Sequence, residues 1–390
     1  MRVAIAHDFL VQYGGAERVL EVLCEMFPRS PVFSLFYDEQ RTRGRFRDQE
    51  VHTSFLSRLP FAGRRIGHHH HLFFWSFPTA IERFDLSGFD LVLSSSASYS
   101  KGVRPPPHVP HVCYCYTPTR YLWEDVRKYV NGALASGPAT TVGEALFRLM
   151  RRWDRKAALR PTTLIAVSTS IAGRIRQVYG RTPDAVIFPP VDTVAYSPDG
   201  ASPKKPGEGY LLMVGRLLPY KRFDLGIEAC GRLGVPLKIA GVGRERARLQ
   251  RLAGPTVEFL DWVNETKLPQ LYRGARAFIF PQVEDFGLVA AEAVACGTPV
   301  IAYRGGGALD IVQEGRNGFF FDRQDPDSLA AAIRQLDARR FQPRAVSETA
   351  QRFSRSRFET EMLAMVRAVR PPARAQAPQR RPRSWQRAAL

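Results

Sequence analysis

The sequence predicts an α/β protein built from two doubly wound domains. Three observations predict this class. Apolar segments of strand length alternate with helical patterns along both halves of the chain, which favours parallel sheets with right-handed crossovers. The halves are separated by a stretch rich in Pro, Gly and Ser at 188–209, and 390 residues are enough for two domains that each bury a core.

The first half is predicted to contain six strands. An apolar run near the amino terminus is the first, and helical patterns separate it from the others. The predicted strands span 2–6, 31–36, 89–94, 111–116, 164–168 and 185–188. The clearest helices span 15–27, 120–130, 142–159 and 169–179.

The second half repeats this alternation. Its predicted strands span 210–215, 236–240, 257–260, 277–281, 299–303 and 318–321. Two further helices are predicted at 326–338 and near 356–369. Residues 371–390 contain five arginines, several prolines and no acid, a composition that predicts a disordered basic tail.

Composition places the chain among globular proteins. Hydrophobic residues make up 45% of it, and no apolar run reaches the roughly 18 residues of a membrane-spanning helix. The amino terminus is predicted to be a strand rather than a signal peptide, so we expect a cytoplasmic protein. Five cysteines, without metal-ligand spacing, are predicted to be reduced packing residues. They are Cys24, Cys113, Cys115, Cys230 and Cys296.

The net charge of +19, from 56 basic and 37 acidic residues, predicts an anionic partner. We find no nucleic-acid-binding module. Seven arginines and four consecutive histidines (68–71) lie between 41 and 75 beside an aromatic cluster, which favours contact with an anionic membrane face. The alternative is a solvated helix whose aromatic residues pack into the core. Consecutive histidines on a helix point in different directions, which argues against a metal site.

Two carboxylates bracket a strand–loop–helix junction in the second half. The apolar run 275–281 is followed by Glu284 in a loop, and Glu292 lies about two turns into an Ala-rich helix. Such a junction exposes backbone N–H groups that favour negative charge, and Gly287 allows a ligand to approach them closely. A ligand that touches both carboxylates must be long, as is a sugar joined through phosphates to a ribose. The alternative is a capped surface helix with two unrelated glutamates.

Two cations lie at a similar junction upstream. The strand that begins at 210 ends beside Arg216, and Lys221 opens the next helix. Both therefore lie at the carboxyl end of a strand, where α/β sheets bind ligands. Arg as a planar fork and Lys as a point charge suit a pyrophosphate. The alternative is two solvated basic residues in an Arg-rich chain.

These segments resemble a known family. In the second half, "GRLLPYKR", "FPQVEDFGLVAAEAVACGTPVIAY" and "GGGALDIV" are similar to the donor half of retaining glycosyltransferases of family 4, which have the two-domain GT-B fold. In the first half, "HDFLVQYGGAERVL", "IERFDLSGFDLVLSSSASYSKGV" and "HVCYCYTPTRYLWED" resemble a bacterial mannosyltransferase-like branch that acts in surface-polysaccharide synthesis. The resemblance covers residues 1–368, approximately.

The resemblance implies two Rossmann-like domains that face each other across a cleft. It assigns acceptor binding to 1–190, an interdomain linker to 191–209 and donor binding to 210–352. It also implies that a helix within 353–370 crosses back to the first domain, ahead of the tail at 371–390. The chemistry of the family is independent of metal ions and needs no cofactor.

The resemblance also implies roles for individual residues. Arg216 and Lys221 would stabilise the leaving phosphate, and Glu292 would hold the ribose hydroxyls. Glu284 and the backbone that follows it would grip the sugar hydroxyls. The predicted catalytic residues are Arg216, Lys221, Glu284 and Tyr116. The predicted donor-binding residues are Glu292, Asp285, Phe286, Gly287, Leu288, Gly14 and Gly15.

Two of these assignments carry alternatives. In the family the Gly14–Gly15 loop abuts the donor phosphates and the acceptor, but a tight turn with positive φ explains Gly14 equally well. Relatives often have histidine at the position of Tyr116, near the anomeric carbon. Tyrosine keeps a hydrogen-bonding tip but does not titrate near neutrality, which leaves an inactive homologue open.

Four other acidic positions are predicted to be structural. Glu124 and Asp125 are candidate polar neighbours of the site, but we favour the exposed first turn of a helix. Asp325 and Asp327 form an Asp-X-Asp pair, a spacing that binds metal in another glycosyltransferase architecture. Because Pro326 follows Asp325 just before an Ala-rich helix, we predict a helix cap instead.

The sequence therefore predicts transfer of a hexose, most plausibly mannose from GDP-mannose, to a polysaccharide or lipid-linked acceptor. Anomeric configuration would be retained, as the resemblance implies, and the protein would act in the cytoplasm or at the cytoplasmic membrane face. Two alternatives stay open. One is a catalytically impaired, nucleotide-binding homologue in a polysaccharide-assembly complex, and the other is a nucleotide-sugar epimerase.

Overall fold

The computed structural model describes residues 1–58, 74–124, 139–202 and 208–369. Each half contains a parallel sheet with helices packed on it, so the predicted class of two doubly wound α/β domains is confirmed. The four histidines at 68–71 and the basic tail at 371–390 lie outside the described residues.

The first sheet has seven strands, one more than predicted. Their order is β3-β2-β1-β4-β5-β6-β7. The unpredicted strand pairs with β2 at the sheet edge and has an exposed histidine between two half-buried residues, so it lacks the apolar run that marks the other strands. The strands are β1 (Val3–His7), β2 (Val32–Ser34), β3 (Val51–Thr53), β4 (Leu91–Ser96), β5 (His111–Cys115), β6 (Thr163–Ala166) and β7 (Ala185–Val186).

The helices described in the first half include one that was not predicted, at Phe77–Glu82, and another that differs from its predicted length. The helix predicted at 120–130 ends at Trp123, and 125–138 lie outside the described residues. Glu124 caps the end of this helix and pairs with Arg174 at 2.6 Å, so its predicted place in an exposed first turn is wrong. The helices are α1 (Gly15–Met26), α2 (Phe77–Glu82), α3 (Arg120–Trp123), α4 (Ala139–Ala158) and α5 (Thr169–Tyr179).

The second sheet has the six predicted strands in the order β10-β9-β8-β11-β12-β13. They are β8 (Tyr210–Val214), β9 (Leu237–Ala240), β10 (Val257–Asp261), β11 (Ala275–Phe280), β12 (Val300–Tyr303) and β13 (Gly318–Phe321). The helices are α6 (Phe223–Leu233), α7 (Arg246–Leu252), α8 (Leu268–Gly274), α9 (Leu288–Ala295), α10 (Ala308–Ile311), α11 (Pro326–Asp337) and α12 (Pro343–Glu348).

Helix α11 begins as its sequence predicts. The carboxylate of Asp325 accepts a hydrogen bond from the backbone N–H of Ser328 at 2.7 Å, and Pro326 occupies the first turn. The predicted cap is therefore confirmed. Asp327 faces away and pairs with Arg232 at 2.5 Å.

The last described helix, α13 (Arg355–Ala368), packs on the first half of the chain rather than the second. Phe358, Met362 and Val366 belong to the same buried cluster as β5 and β6. The ring of Phe358 meets that of Tyr114 edge-on, with 5.6 Å between centroids. The carboxyl-terminal helix thus ties the two halves together.

Strand order reverses direction at β1/β4 in the first sheet and at β8/β11 in the second. In such sheets, ligands bind beyond the carboxyl ends of the strands at these switch points. At the first switch point, Asp8 follows β1, and its carboxylate accepts four backbone N–H groups from residues 97–100 at 2.6–2.9 Å. At the second lie the two junctions that carry the predicted site residues.

Two other predictions concern cysteines and the basic segment. All five cysteines are buried and free, as predicted. Of the segment 41–75, Arg43 stacks on Trp262 with 5.2 Å to the ring centroid, and Arg45 pairs with Glu265 at 3.2 Å. Both partners belong to the second half, so these two arginines lie between the halves. No helix of the described residues has the length and apolar content needed to cross a membrane.

Candidate functional site

The loop between β11 and α9 depends on a glycine. Gly287 caps α9 with φ = +105°, a backbone conformation that L side chains rarely adopt. A Cβ atom at this position would lie 2.6 Å from the ring of Phe280, the last residue of β11. Glycine therefore allows the loop to turn tightly from strand to helix, which places Glu284 and Asp285 at the switch point.

Lys221 and Glu284 meet at this switch point. The ammonium of Lys221 contacts Glu284 Oε1, which also accepts a hydrogen bond from Gln282 Nε2 at 3.1 Å. Arg216, at the end of β8, is exposed and donates to Gln12 Oε1 of the first half at 3.1 Å. The structure therefore brings three of the predicted catalytic residues to one end of the second sheet.

Lys221 lies in an environment that disfavours its charge. Burial, followed by the neighbouring cations Arg216 and Arg120, lowers the pKa of Lys221 to about 7, although Asp285 acts in the opposite direction. Contact with Glu284 also favours the protonated form. An anionic group placed among these cations would raise the pKa of Lys221 again.

Asp285 connects the loop to the first half. Its Oδ2 lies 2.5 Å from Arg120 Nη2 in α3, and its backbone carbonyl accepts a hydrogen bond from Ser168 Oγ at 2.6 Å. Burial raises the pKa of this carboxyl, and Arg120 opposes the change. The next residue, Thr169, hydrogen-bonds to Asp310 through both its N–H and its hydroxyl, at 2.9 and 2.6 Å.

Glu292 is buried in α9 and also faces the first half. Its Oε1 lies 2.5 Å from Arg18 Nη1 in α1, and its Oε2 accepts a hydrogen bond from the Tyr272 hydroxyl at 3.3 Å. The predicted ribose-binding carboxylate is therefore paired with an arginine from the opposite domain. Nothing in the sequence pattern around Arg18 indicated this pair.

The side chains of the two residues that flank Gly287 pack against different parts of the protein. The ring of Phe286 stacks on Phe188, with 5.8 Å between centroids, and meets Phe353 edge-on, so only its backbone can face a ligand. Leu288 packs against the first half, where a Cβ atom at Gly15 would lie 3.2 Å from its Cδ1.

The glycine loop of the first half differs from prediction at Gly14. This residue has φ = −150°, which is extended backbone, so the turn with positive φ that the sequence left open is wrong. Its N–H donates to Glu17 Oε2 at 2.8 Å, so Gly14 caps α1. Gly15 opens the helix and lies against Leu288 of α9, as described above.

Tyr116 lies beneath the start of α1. Its hydroxyl donates to the backbone carbonyl of Ala16 at 3.1 Å and hydrogen-bonds with Ser95 Oγ at 2.9 Å. Ser95 in turn bonds to His7 Nδ1 at 3.0 Å. Burial raises the pKa of the Tyr116 hydroxyl, so it stays neutral. These contacts make Tyr116 a support of the glycine loop rather than a group free to meet a substrate.

Both halves of the chain match known protein families. Residues 13–194 match Glycosyltransferase Family 4, and residues 199–353 match Glycosyl transferases group 1. A D-inositol 3-phosphate glycosyltransferase of Acidothermus cellulolyticus is 32% identical over 247 residues, 56% of this chain and 54% of that protein. D-inositol 3-phosphate glycosyltransferase 2 of Catenulispora acidiphila is 34% identical over 201 residues, 44% of this chain and 47% of that protein. The chain spans about half the length of these curated relatives.

Solved structures share the two-domain architecture. Anabaena HepE, in complex with UDP, aligns with a TM-score of 0.67 over 95% of this chain and 100% of its own, at 19% identity. The apo form of the lipopolysaccharide outer core galactosyltransferase WaaB aligns with a TM-score of 0.65 over 94% of this chain and 99% of its own, at 16% identity. The chain has the GT-B fold. Together with the two family matches, this fold supports a GT-B glycosyltransferase of family 4.

In this GT-B fold, residues that the sequence analysis did not assign complete the site. Arg120 adds a third cation beside Arg216 and Lys221, and Arg18 pairs with Glu292. The only available signal for Arg120 was its place five residues after β5 in a family segment. His7 is the last residue of β1, at the other switch point, and a strand-end histidine is a signal that could have been used.

The charges of the site favour an anion. Within the part of the chain that the structure describes, the three basic side chains outnumber the two carboxylates, Glu284 and Asp285, where the first half meets the second sheet. Among the described residues, no group of three or more His, Cys, Asp or Glu side chains could hold a metal ion. Arginine and lysine side chains are positive charges that the described site can offer a phosphate.

Proposed function

We propose that this protein is a retaining glycosyltransferase that transfers a hexose from a nucleoside-diphosphate sugar to a saccharide or lipid-linked acceptor. One observation carries the proposal: Arg216, Lys221 and Arg120 converge at the second switch point, beside the carboxylate of Glu284. A diphosphate at this position would meet the cations, and Glu284 would lie within reach of the sugar hydroxyls.

The proposed reaction breaks the bond between the anomeric carbon and the diphosphate oxygen. Negative charge grows on the leaving phosphate, and cations that are already in place stabilise it more in the transition state than in the ground state. The acceptor hydroxyl oxygen forms the new bond on the same face of the sugar, and its proton passes to the leaving phosphate. The enclosed position between the domains would limit hydrolysis by water.

The identity of the donor is part of the proposal. The family branch that the first half resembles supports mannose and GDP-mannose. The solved structure of Anabaena HepE with UDP and glucose supports a UDP-sugar as the competing candidate. The named curated relatives act on D-inositol 3-phosphate, which supports a phosphorylated polyol as one acceptor to include.

Donor screening tests this function. Purified protein is incubated with GDP-mannose, UDP-glucose and other nucleotide sugars, with and without candidate acceptors, and release of the nucleoside diphosphate is measured. Arg216→Met should lower kcat by about 10²–10³-fold, as loss of one transition-state donor does. Arg334→Met, an exposed arginine of α11, is the matched control and should leave kcat unchanged. Absence of turnover and binding with every donor would reject the proposal.

Tyr116 favours one alternative, a nucleotide-binding protein without transferase activity. Its hydroxyl is held by Ala16 and Ser95, whereas relatives often have a histidine at this position. If the wild type binds nucleotide sugars without turnover and Tyr116→His gains activity, this alternative is favoured. Appearance of an isomerised nucleotide sugar without acceptor would instead support an epimerase.

We also propose that the protein acts in the cytoplasm, at the membrane face. The support is the net charge of +19 and an exposed aromatic residue, Trp75, at the end of the basic segment. Co-flotation with vesicles that contain anionic lipid, at low but not high salt, would agree with this placement. Equal recovery with neutral vesicles would contradict it.

A further inference from the structure

A buried carboxylate of the donor domain takes its counter-charge from the opposite domain. Glu292 is 0% exposed, and in the described residues Arg18 is the cation paired with it. Isolated buried carboxylates are costly, and removal of the partner of a buried ion pair strongly disfavours the remaining charge. The counter-charge of the Glu292 carboxylate therefore comes from a residue that its own domain does not supply.

Two contacts set the register between α1 and α9. Gly15 lies against Leu288, and Arg18, three residues later, meets Glu292, four residues after Leu288. Residues three or four apart share one helix face, so the two contacts lie one turn apart along both helices. The absence of a side chain at Gly15 lets the helices approach closely enough for the arginine to reach the carboxylate.

We propose that Arg18 is the residue that positions the Glu292 carboxylate for the ribose hydroxyls of the donor, so that ribose recognition requires both domains. This inference rests on the proposed function, since it assumes that a nucleotide binds at the second switch point. It adds Arg18 to the donor-binding residues of the amino-terminal domain, of which the sequence predicted only Gly14 and Gly15.

A single carboxylate can accept hydrogen bonds from both partners. A carboxylate has about four lone-pair directions. Arg18 uses Oε1, and Tyr272 makes a long hydrogen bond to Oε2 at 3.3 Å, so acceptor capacity remains for hydroxyl groups. Without Arg18, the buried carboxylate would lose the cation that holds its orientation. Hydrogen bonds to an ionised acceptor are roughly twice as strong as neutral ones, so a carboxylate turned away from the ribose should lower the ribose preference about tenfold.

The preference for ribose over deoxyribose measures this role directly. Titration calorimetry on the full chain compares UDP with 2′-deoxy-UDP, and GDP with 2′-deoxy-GDP. The wild type should prefer the ribonucleotide. Arg18→Met should still bind the diphosphate but lose most of that preference, and Arg18→Lys should restore part of it. The matched control is Arg45→Met, because Arg45 also joins α1 to the second half, through Glu21 and Glu265, without touching Glu292.

A second variant keeps the test decisive if Arg18→Met does not fold. Glu292→Gln is neutral and needs no counter-charge, so Arg18→Met in that background should change the ribose preference no further. An unchanged preference in Arg18→Met, or an equal loss of affinity for both nucleotide forms, would overturn the inference. Failure of the wild type to bind any of the four nucleotides would instead overturn the proposed function.

Discussion

Binding of a nucleotide sugar should weaken as pH rises through neutrality. The perturbed group is Lys221, whose pKa is lowered to about 7 by burial and by the cations Arg216 and Arg120. Below this pKa the side chain is an ammonium that can bind a diphosphate, and above it the side chain is a neutral amine. Because an ordinary lysine keeps its charge far above neutrality, only a lysine in this environment gives such a dependence.

The size of the effect follows from the fraction of Lys221 that is protonated. With a pKa of about 7, roughly nine-tenths is protonated at pH 6 and roughly one-tenth at pH 8. Binding that requires the ammonium therefore weakens about tenfold between these values, or about 1.4 kcal/mol. Near pH 8, each binding event should also take up close to one proton, because the diphosphate raises the pKa of the bound lysine.

Titration calorimetry at pH 6 and pH 8, in buffers of different ionisation enthalpy, measures both the affinity and the proton uptake. The ligand should be a nucleotide sugar, because its diphosphate has no free terminal phosphate that titrates in this range. Lys221→Arg keeps its charge and should show no pH dependence. Lys238→Arg, at a lysine that pairs with Glu258 at 3.1 Å, is the control and should behave like the wild type. A wild-type affinity that is equal at both pH values would refute the reasoning.

Three further predictions concern buried contacts. Tyr116→Phe removes the hydrogen bond to the Ala16 carbonyl and should cost about 1–3 kcal/mol in urea unfolding, with a smaller fall in kcat than Arg216→Met; an equal fall in kcat would mean that the hydroxyl contacts substrate. Lys101→Met leaves Asp154, 2.7 Å away and fully buried, without its cation, and should cost about 3–5 kcal/mol by the same measurement. Gly287→Ala forces a side chain into φ = +105° against the Phe280 ring, so the thermal midpoint should fall and donor affinity with it; a wild-type midpoint would contradict this.

The fold was predictable because its buried strands can be recognised as apolar segments of strand length. Buried parallel strands such as β5 and β11 are mostly apolar, and every residue of each is buried. The edge strand β3 was not predictable by this criterion, because none of its three residues is fully buried. Backbone pairing with β2, rather than an apolar run, holds it in the sheet. The end of the helix predicted at 120–130 was also not predictable from the sequence. Glu124 lies outside the helix and pairs with Arg174, which is 50 residues away in the chain.

Within the candidate site, the sequence identified residues at the ends of strands but not their partners. Arg216, Lys221 and Glu284 come together because β8 and β11 are adjacent, which follows from the strand order of a doubly wound sheet. The pairing of Arg18 with Glu292 depends on how the two domains face each other. No local pattern encodes that arrangement, so only the three-dimensional structure could reveal it.

The carboxylate of Asp8 gives the amino-terminal domain an internal substitute for phosphate. In sheets with this strand order, backbone N–H groups at the crevice commonly receive the phosphate of a bound nucleotide. Here four of them already converge on a side chain supplied by the first strand. A nucleotide phosphate could bind these N–H groups only by displacing the Asp8 carboxylate. That carboxylate is part of the chain and is therefore always present. Of the two switch points in the described residues, the one between β8 and β11 is therefore the one that suits the nucleotide of the proposed function.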